Sequence, residues 1–433
     1  MSAFSRRGAC PALSAPMQTG DGLLVRLNPA TDGLAPSRLI DLCEAALRHG
    51  NGIVEVTARG SFQIRGLTEE SARRLALEVD MLGIPVRTGV PVETGPLAGL
   101  DPDEIADPRP LAQAIRAAIA NAGLAPRLGP KVSVVVDGGG GLTMNEIIAD
   151  VRLVAERRNE DVLWNLSIAG DASTAKPLGL VSQNEALDAV LSILQAIAAL
   201  GREGRAKDLP DSTPTASLTP RENHSPVAVF PLTDNAYCIG IGLPFGSVEA
   251  KKIIALAREA SALGAMEIRL APQRALLFFG LPLSACEKLQ ATATELGFVT
   301  RSGDPRTKIA ACPGAPACAS GMIETRKIAE DVAKNHAELF DSSITLHVSG
   351  CIKGCAHPTA ATLTVVGDEK GAGLVVGGTA KSLPVGYTPS YDAARGINRV
   401  ATVVRAAQQS GETAASCLVR LGAEDIAKAY RQE

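Results

Sequence analysis

Aromatic residues are scarce in this 433-residue chain: one Trp, four Tyr and eight Phe make up 3% of it. Single-stranded nucleic acids are held largely on aromatic stacking platforms, so this poverty argues against a base-stacking surface. An excess of charge of one sign is also missing. Forty-three Lys and Arg stand against 46 Asp and Glu, a formal net charge of −3, so affinity for any anion has to come from local groups. No uncharged apolar run reaches the roughly 20 residues that a spanning helix needs. Arg6 and Arg7 near the start are not followed by an apolar core, because Pro11, Ser14 and Pro16 interrupt it. The expectation is a cytoplasmic protein with neither nucleic acid nor membrane as partner. Cysteine, by contrast, is plentiful. Nine cysteines, an odd number in a long chain without a secretory signal, suggest metal ligation or buried thiols ahead of a disulfide framework.

The length implies two to four domains, and an internal repeat organises them. Residues 22–67 match 236–281 at a constant offset of 214 with no gap. In the first copy a strand over 23–27 leads to a helix with Leu39, Leu42, Cys43, Ala46 and Leu47 on one face, stopped by Gly50, and then to strands over 53–58 and 61–66. The second copy repeats this with a strand over 237–243, a stripe of Ile253, Leu256, Ala257, Ala260 and Leu263, a stop at Gly264, and strands over 266–270 and 275–280. A further helix follows each copy, over 69–82 and 284–296, the latter opened by a capping box of Ser284 and Glu287. This order is the split βαβ, or ferredoxin-like, pattern. Chance recurrence of β-α-β-β runs is the bland alternative, and a gapless match that keeps the Gly stops favours duplication.

Between the copies, 100–201 reads as an α/β domain with strands over 131–137, 148–154 and 163–168 and a helix over 184–200. Residues 202–227 are rich in Pro, Ser, Thr and charge, as linkers are. The expected division is an N-terminal segment 1–20, half-domains 21–90 and 228–302, and a second α/β domain 303–433 that bears cysteines and ends in helices.

The strongest chemical signal is Cys312 and Cys318, spaced C-x5-C, with Cys351 and Cys355, spaced C-x3-C, about thirty residues later. Two thiolate pairs on Gly- and Pro-rich loops can enclose one [4Fe–4S] cluster, and Gly314, Gly350 and Gly354 with Pro313 and Pro316 suit such loops. Structural zinc competes for four thiolates, although the first pair is wider than its usual spacing. Four unrelated buried thiols are the weakest reading. Cys43 and Cys286 lie on apolar helical faces and read as core. Asp137 with Gly138–141 follows a strand but lacks phosphate-loop spacing, so it is not a nucleotide site; a glycine turn that lets backbone approach a ligand is compatible.

The cysteine spacing, the duplicated half-domains and the stretch TARGSFQ over 57–63 together resemble the sulfite/nitrite reductase family. Within it RGACPALSAPMQTGDG over 7–22, GPLAGLDP over 95–102 and HVSGCIKGCAHP over 347–358 are similar to the precorrin-3B synthase branch. The resemblance spans nearly the whole chain. It implies an α+β fold of duplicated ferredoxin-like half-domains plus two α/β domains with pseudo-two-fold symmetry, and a [4Fe–4S] cluster on the four cysteines.

Of the reductases' basic residues, Arg59 and Gln63 match the first stretch and Lys131 the first lysine, whereas the second lysine reads Ser133 and the second arginine Val90. So few charges suit a small oxyanion poorly and a polycarboxylate better. Arg59, Gln63, Arg65 and Lys131 are the candidate substrate-binding residues; for Arg65 the bland alternative is a solvated strand-end charge. The branch implies an oxidoreductase, an oxygen-dependent monooxygenase of cobalamin biosynthesis. It acts on the tetrapyrrole precorrin-3A with an electron donor, and uses a mononuclear non-haem iron in place of sirohaem. His347 and His357 are candidate ligands of that iron, against a packed histidine and a loop end as bland readings. Two rivals remain: a sirohaem-dependent sulfite or nitrite reductase, and a non-catalytic electron carrier or zinc-stabilised binding protein.

Overall fold

A computed structural model describes residues 11–28, 33–210, 224–233, 235–335, 339–341 and 343–431. The centre of the expected linker, 211–223, the first half of the N-terminal segment and Cys10 lie outside the described residues.

In the first copy the hairpin β1 (Met17–Thr19) and β2 (Gly22–Leu27) leads into α1 (Pro36–His49), followed by β3 (Ile53–Val56), β4 (Phe62–Leu67) and α2 (Glu69–Met81). Pro36 starts α1, where its fixed φ and missing N–H cost nothing. Leu39, Leu42, Cys43 and Ala46 of α1 are buried, but Leu47 is exposed and lies over the turn at Gly52. Thr68 and Ser71 cap α2 reciprocally.

The segment after it forms β5 (Val92–Thr94), α3 (Arg109–Asn121), β6 (Val134–Asp137), β7 (Ala149–Arg158), β8 (Asp161–Gly170), β9 (Lys176–Val181) and α4 (Gln183–Ala199). β5, β6 and β7 are parallel, and β8 and β9 continue the sheet antiparallel. β6 begins later than its apolar run suggested because the Ser133 N–H donates to the Asp150 side chain, 3.1 Å away.

The second copy supplies β10 (Val229–Pro231), β11 (Tyr237–Gly242), β12 (Ser247–Glu249), α5 (Ala250–Ala262), β13 (Glu267–Ala271), β14 (Ala275–Leu281) and α6 (Leu283–Glu295). The Ser284 capping box does not form. The helix starts at Leu283 behind Pro282, which leaves Ser284 inside the first turn, where it cannot cap.

The copies exchange edges. Val248 in β12 pairs with Val54 in β3, and Leu34 bridges Ile268 in β13. Each member of one pair stands 214 positions from its counterpart in the other. The sheets accordingly run β1-β2-β4-β3-β12 and β10-β11-β14-β13. Leu39, Leu42 and Cys43 of α1 share one core with Ile253, Leu256 and Ala257 of α5.

The C-terminal part forms β15 (Ile309–Ala311), α7 (Thr325–Asn335), β16 (Leu346–Ser349), β17 (Ala361–Asp368), β18 (Gly371–Gly378), β19 (Gly386–Thr388), α8 (Ala393–Ala407) and α9 (Ala414–Arg431). Its sheet repeats the earlier arrangement, three parallel strands β15-β16-β17 and then two antiparallel. The fold is α+β, with two half-domains at the centre and two such sheets related by the same pseudo-symmetry. Among the described residues no helix is long and apolar enough to cross a membrane.

Candidate functional site

The two cysteine pairs leave the C-terminal ends of neighbouring parallel strands, where open α/β sheets place ligands. Cys312 follows β15 and Cys351 closely follows β16. The loops cross at glycine. The Gly350 N–H donates to Cys312 Sγ at 3.1 Å, and a Cβ on Gly350 would stand 3.1 Å from the Cα atoms of both Gly314 and Gly321. Gly314 and Gly354 hold φ near +62°, which L side chains seldom adopt. The Met322 N–H to Gly350 O bond (2.8 Å) ties one loop to the other, and Thr325 Oγ1 donates to Cys312 O.

Cys312 is buried, Cys318 and Cys351 are half-buried, and Cys355 lies at the rim. Burial, then the charges of Cys312, Cys351 and Cys318, push the Cys355 thiol above its ordinary pKa. Among the described residues no three His, Cys, Asp or Glu side chains are close enough to hold a single metal ion. Four thiols on two crossed loops, with a backbone amide already on one sulfur, are a donor set that would suit a [4Fe–4S] cluster. Cys43, Cys238, Cys286 and Cys417 are buried elsewhere.

Arg65 holds this loop pair against the first half-domain. It is 3% exposed. Its Nε and Nη2 fork onto Asp21 at 3.0 and 2.8 Å, and Nη2 also donates to Ala317 O, beside Cys318, at 2.8 Å. Glu55 stands 3.5 Å from Nη1 and also pairs with Arg326 at the start of α7. Burial opposes the charge on Asp21, yet the hydrogen bonds from Arg65 and Thr19 hold its carboxyl below the usual range. Gly20 fits only as glycine, since a Cβ there would lie 2.7 Å from Pro316 O and Ala319 N. Arg65 is thus neither a solvated charge nor open to a ligand. Gln63 is buried in the same network: its Oε1 accepts from Arg26 at 2.7 and 3.0 Å and its Nε2 donates to Glu55 at 2.7 Å.

Arg59, in the turn between β3 and β4, is 38% exposed and reaches the first flanking sheet. It donates to Ile148 O at 2.8 Å, Glu93 at 3.1 Å and Ser133 Oγ at 3.4 Å. Ser133, at the second lysine position, therefore meets Arg59, while Lys131 is exposed in the turn before β6. Arg152, fully buried, fixes the loop that presents Ile148 by donating to Ile147 O at 2.6 Å and Met144 O at 3.1 Å. The glycine run is occupied by carboxylates: Gly139 N–H donates to Asp137 and Gly141 N–H to Asp101.

His347 is fully buried in β16, and neither ring nitrogen has a partner among the described residues. Its ring stands edge-on to His357 with centroids 5.8 Å apart. Burial, then the charges of His357 and Arg274, push its pKa down to about 4. His357 Nε2 lies 3.2 Å from the Thr359 hydroxyl and 3.3 Å from Ala360 O. The described residues give two imidazoles here and no third donor for one ion.

Sequence reasoning missed Arg26, Glu55 and Arg274. Arg274 donates to Ala356 O at 2.9 Å from a turn in which Gln273 and Arg274 both hold positive φ, 59° and 66°. That turn is the repeat partner of the Arg59 turn, and Gln273 N–H donates to Ala58 O at 3.0 Å. The one-residue shift of arginine between the copies was visible in the aligned repeat.

Residues 15–81 match the model of the nitrite/sulfite reductase ferredoxin-like half domain. A precorrin-3B synthase of Sinorhizobium sp is 42% identical over 99% of this chain and 96% of its own length. A ferredoxin–nitrite reductase of Synechococcus elongatus is 22% identical over 79% of this chain and 76% of its own. The solved structure of Mycobacterium tuberculosis NirA shares the fold, with a TM-score of 0.75 at 20% identity over 93% of this chain and 84% of that one.

Proposed function

Because the chain belongs to the precorrin-3B synthase family, oxidoreductases of cobalamin biosynthesis within the nitrite/sulfite reductase fold, we propose that it converts precorrin-3A into a hydroxylated lactone with dioxygen. One oxygen atom enters at C20 as the ring A acetate closes the lactone; the other leaves as water, with two electrons and two protons from a donor. The observation that carries this reading is the crossing of the two cysteine loops at Gly350, with its amide on Cys312 Sγ.

Cys312, Cys318, Cys351 and Cys355 would hold a [4Fe–4S] cluster, and His347 and His357 would offer imidazoles to a non-haem iron. When bound, the cluster supplies electrons one at a time and the iron a centre able to engage triplet dioxygen. The chain's own contribution is placement. Arg59 offers a guanidinium to a carboxylate arm of the substrate. Gly350 N–H, on Cys312 Sγ, would favour the added negative charge of a reduced cluster. Arg65 keeps the Cys318 loop seated against the half-domain that carries Arg59.

Anaerobic purification followed by iron and sulfide analysis should give one cluster per chain without the intense visible bands of sirohaem. Incubation with precorrin-3A and oxygen should give the hydroxylated lactone. Cys318→Ser should abolish both the cluster absorbance and turnover, and Arg59→Ala should keep the cluster and lose substrate affinity. Sirohaem in the purified protein, or an unchanged cluster in the Cys318 variant, would refute the reading.

A further inference from the structure

The turn between β13 and β14 keeps a backbone shape that its residues suit poorly. Gln273 and Arg274 both hold left-handed φ, 59° and 66°, a region that L side chains enter at a cost. At the 214 offset Arg274 stands where the first copy has Gly60, which holds φ 78°. Backbone bonds set the turn: Gln273 N–H donates to Ala58 O at 3.0 Å, and Leu243 N–H donates to Arg274 O at 2.9 Å. Neither bond needs a side chain at 274, and glycine would make both without strain. Strain retained where glycine would relieve it points to a task for the side chain.

The course of that side chain shows the task. The Arg274 stem passes Gly246, where a Cβ would stand 2.8 Å from Arg274 Cδ. Its Nη2 then donates to Ala356 O at 2.9 Å, the one hydrogen bond of this guanidinium among the described residues. Ala356 lies between Cys355 and His357. Resting on the function proposed above, we propose that Arg274 is a positioning residue, which fastens the segment bearing Cys355 and His357 to the second half-domain.

Cys355 is the exposed thiol of the four, so packing alone fixes it least. Gly354, next to it, lies against the buried His347 ring, and a Cβ there would stand 3.7 Å from the ring's Cε1. Holding this segment therefore holds the thiol and His357 in place relative to His347. The other loop is secured in the same manner from the first half-domain, where Arg65 Nη2 donates to Ala317 O, beside Cys318. Each half-domain thus sends one guanidinium to a carbonyl next to a cysteine, one for each loop. A planar fork fixes direction as well as distance, which a flexible ammonium does not.

The test uses the full chain as purified with its cluster. Three measurements are made: trypsin cleavage after the exposed Lys353, ferricyanide oxidation followed by electron paramagnetic resonance, and thermal melts. Arg274→Gly restores the residue of the first copy and removes the strain, whereas Arg274→Met keeps the stem and removes every donor. Both should keep Tm close to wild type yet speed cleavage after Lys353 about tenfold, as loss of one charge-assisted hydrogen bond implies. Ferricyanide should take one electron and release one Fe2+ from [4Fe–4S]2+, leaving [3Fe–4S]+, about tenfold sooner than in wild type, because the iron on a loosened Cys355 leaves first. Arg274→Lys, with a charge but no fork, should recover part of both rates. Should Arg274→Gly fail to fold, Arg274→Met carries the test. Wild-type rates of cleavage and oxidation in these variants would overturn the anchor and leave the proposed function standing. Cleavage accelerated equally along the whole chain, with a lowered Tm, would mark a general packing role and overturn the anchor as well. A wild-type preparation without cluster, in which cleavage after Lys353 still depends on Arg274, would remove the proposed function and keep the anchor.

Discussion

Arg59 and Arg65 lie on one hairpin and answer to different neighbours. Arg59 points from a turn into a cavity, whereas Arg65 is enclosed by Asp21, Glu55 and the carbonyl beside Cys318. Replacing Arg65 with Ala leaves the buried Glu55 and the half-buried Asp21 short of a cation, a change whose upper bound is the cost of about 3–5 kcal/mol seen for fully buried pairs. Arg65→Ala should therefore lower the unfolding free energy and most of the iron content, while Arg65→Lys, which keeps the charge but not the fork, should retain part of both. Iron per chain and the rate of iron loss to a chelator measure this. Full cluster retention in Arg65→Ala would show that Ala317 needs no anchor.

At the scale of elements, the cysteine loops and the 137–141 glycine loop are counterparts at the ends of matching parallel strands, with different fillings. Where the former cross, Gly350→Ala should force the loops apart and empty the site of iron while the far-ultraviolet spectrum stays close to wild type. The glycine loop is ringed by acids instead. Burial, opposed by the Gly99 N–H and reinforced by Asp107, Asp101 and Asp137, lifts the Glu104 carboxyl to about 7. A carboxyl that binds its proton more tightly when folded adds stability below its ordinary pKa of 4.5, and that stability is lost as pH rises through about 7. Glu104→Gln should raise Tm by a few degrees at pH 8 and change it little at pH 5. Thermal melts across that window give the answer, and equal shifts at both pH values would rule out titration of Glu104 as the cause.

For the whole molecule, the exchanged edges and the common core make the two half-domains one cooperative unit. Leu256 is fully buried among side chains from both copies. Leu256→Ala should cost about 2–5 kcal/mol and shift a single denaturant transition for both halves, with the slope unchanged. Two separated transitions would show that the copies fold independently.

The sequence by itself determined the duplication, the amphipathic stripes of α1 and α5, the burial of Cys43 and Cys286, and the spacing of two thiol pairs, because each is written in local periodicity or in a constant offset. It did not reveal β5, β9, α3 or the edge exchange through β12, since short strands take their definition from partners distant in the chain. The Ser284 box and the start of β6 went astray for the same reason: a neighbouring Pro282 or Asp150 outbid the local pattern. Tertiary structure alone decided which charges meet. Arg65 carries the same residue-type signal as Arg59, yet chain crossing buries it, together with Gln63, among Asp21, Glu55 and Arg26, and brings Arg87, Arg116 and Arg269 to Arg59 from other parts of the chain. A charge's role depends on the field around it, and that field is assembled by residues from ten to some 250 positions away.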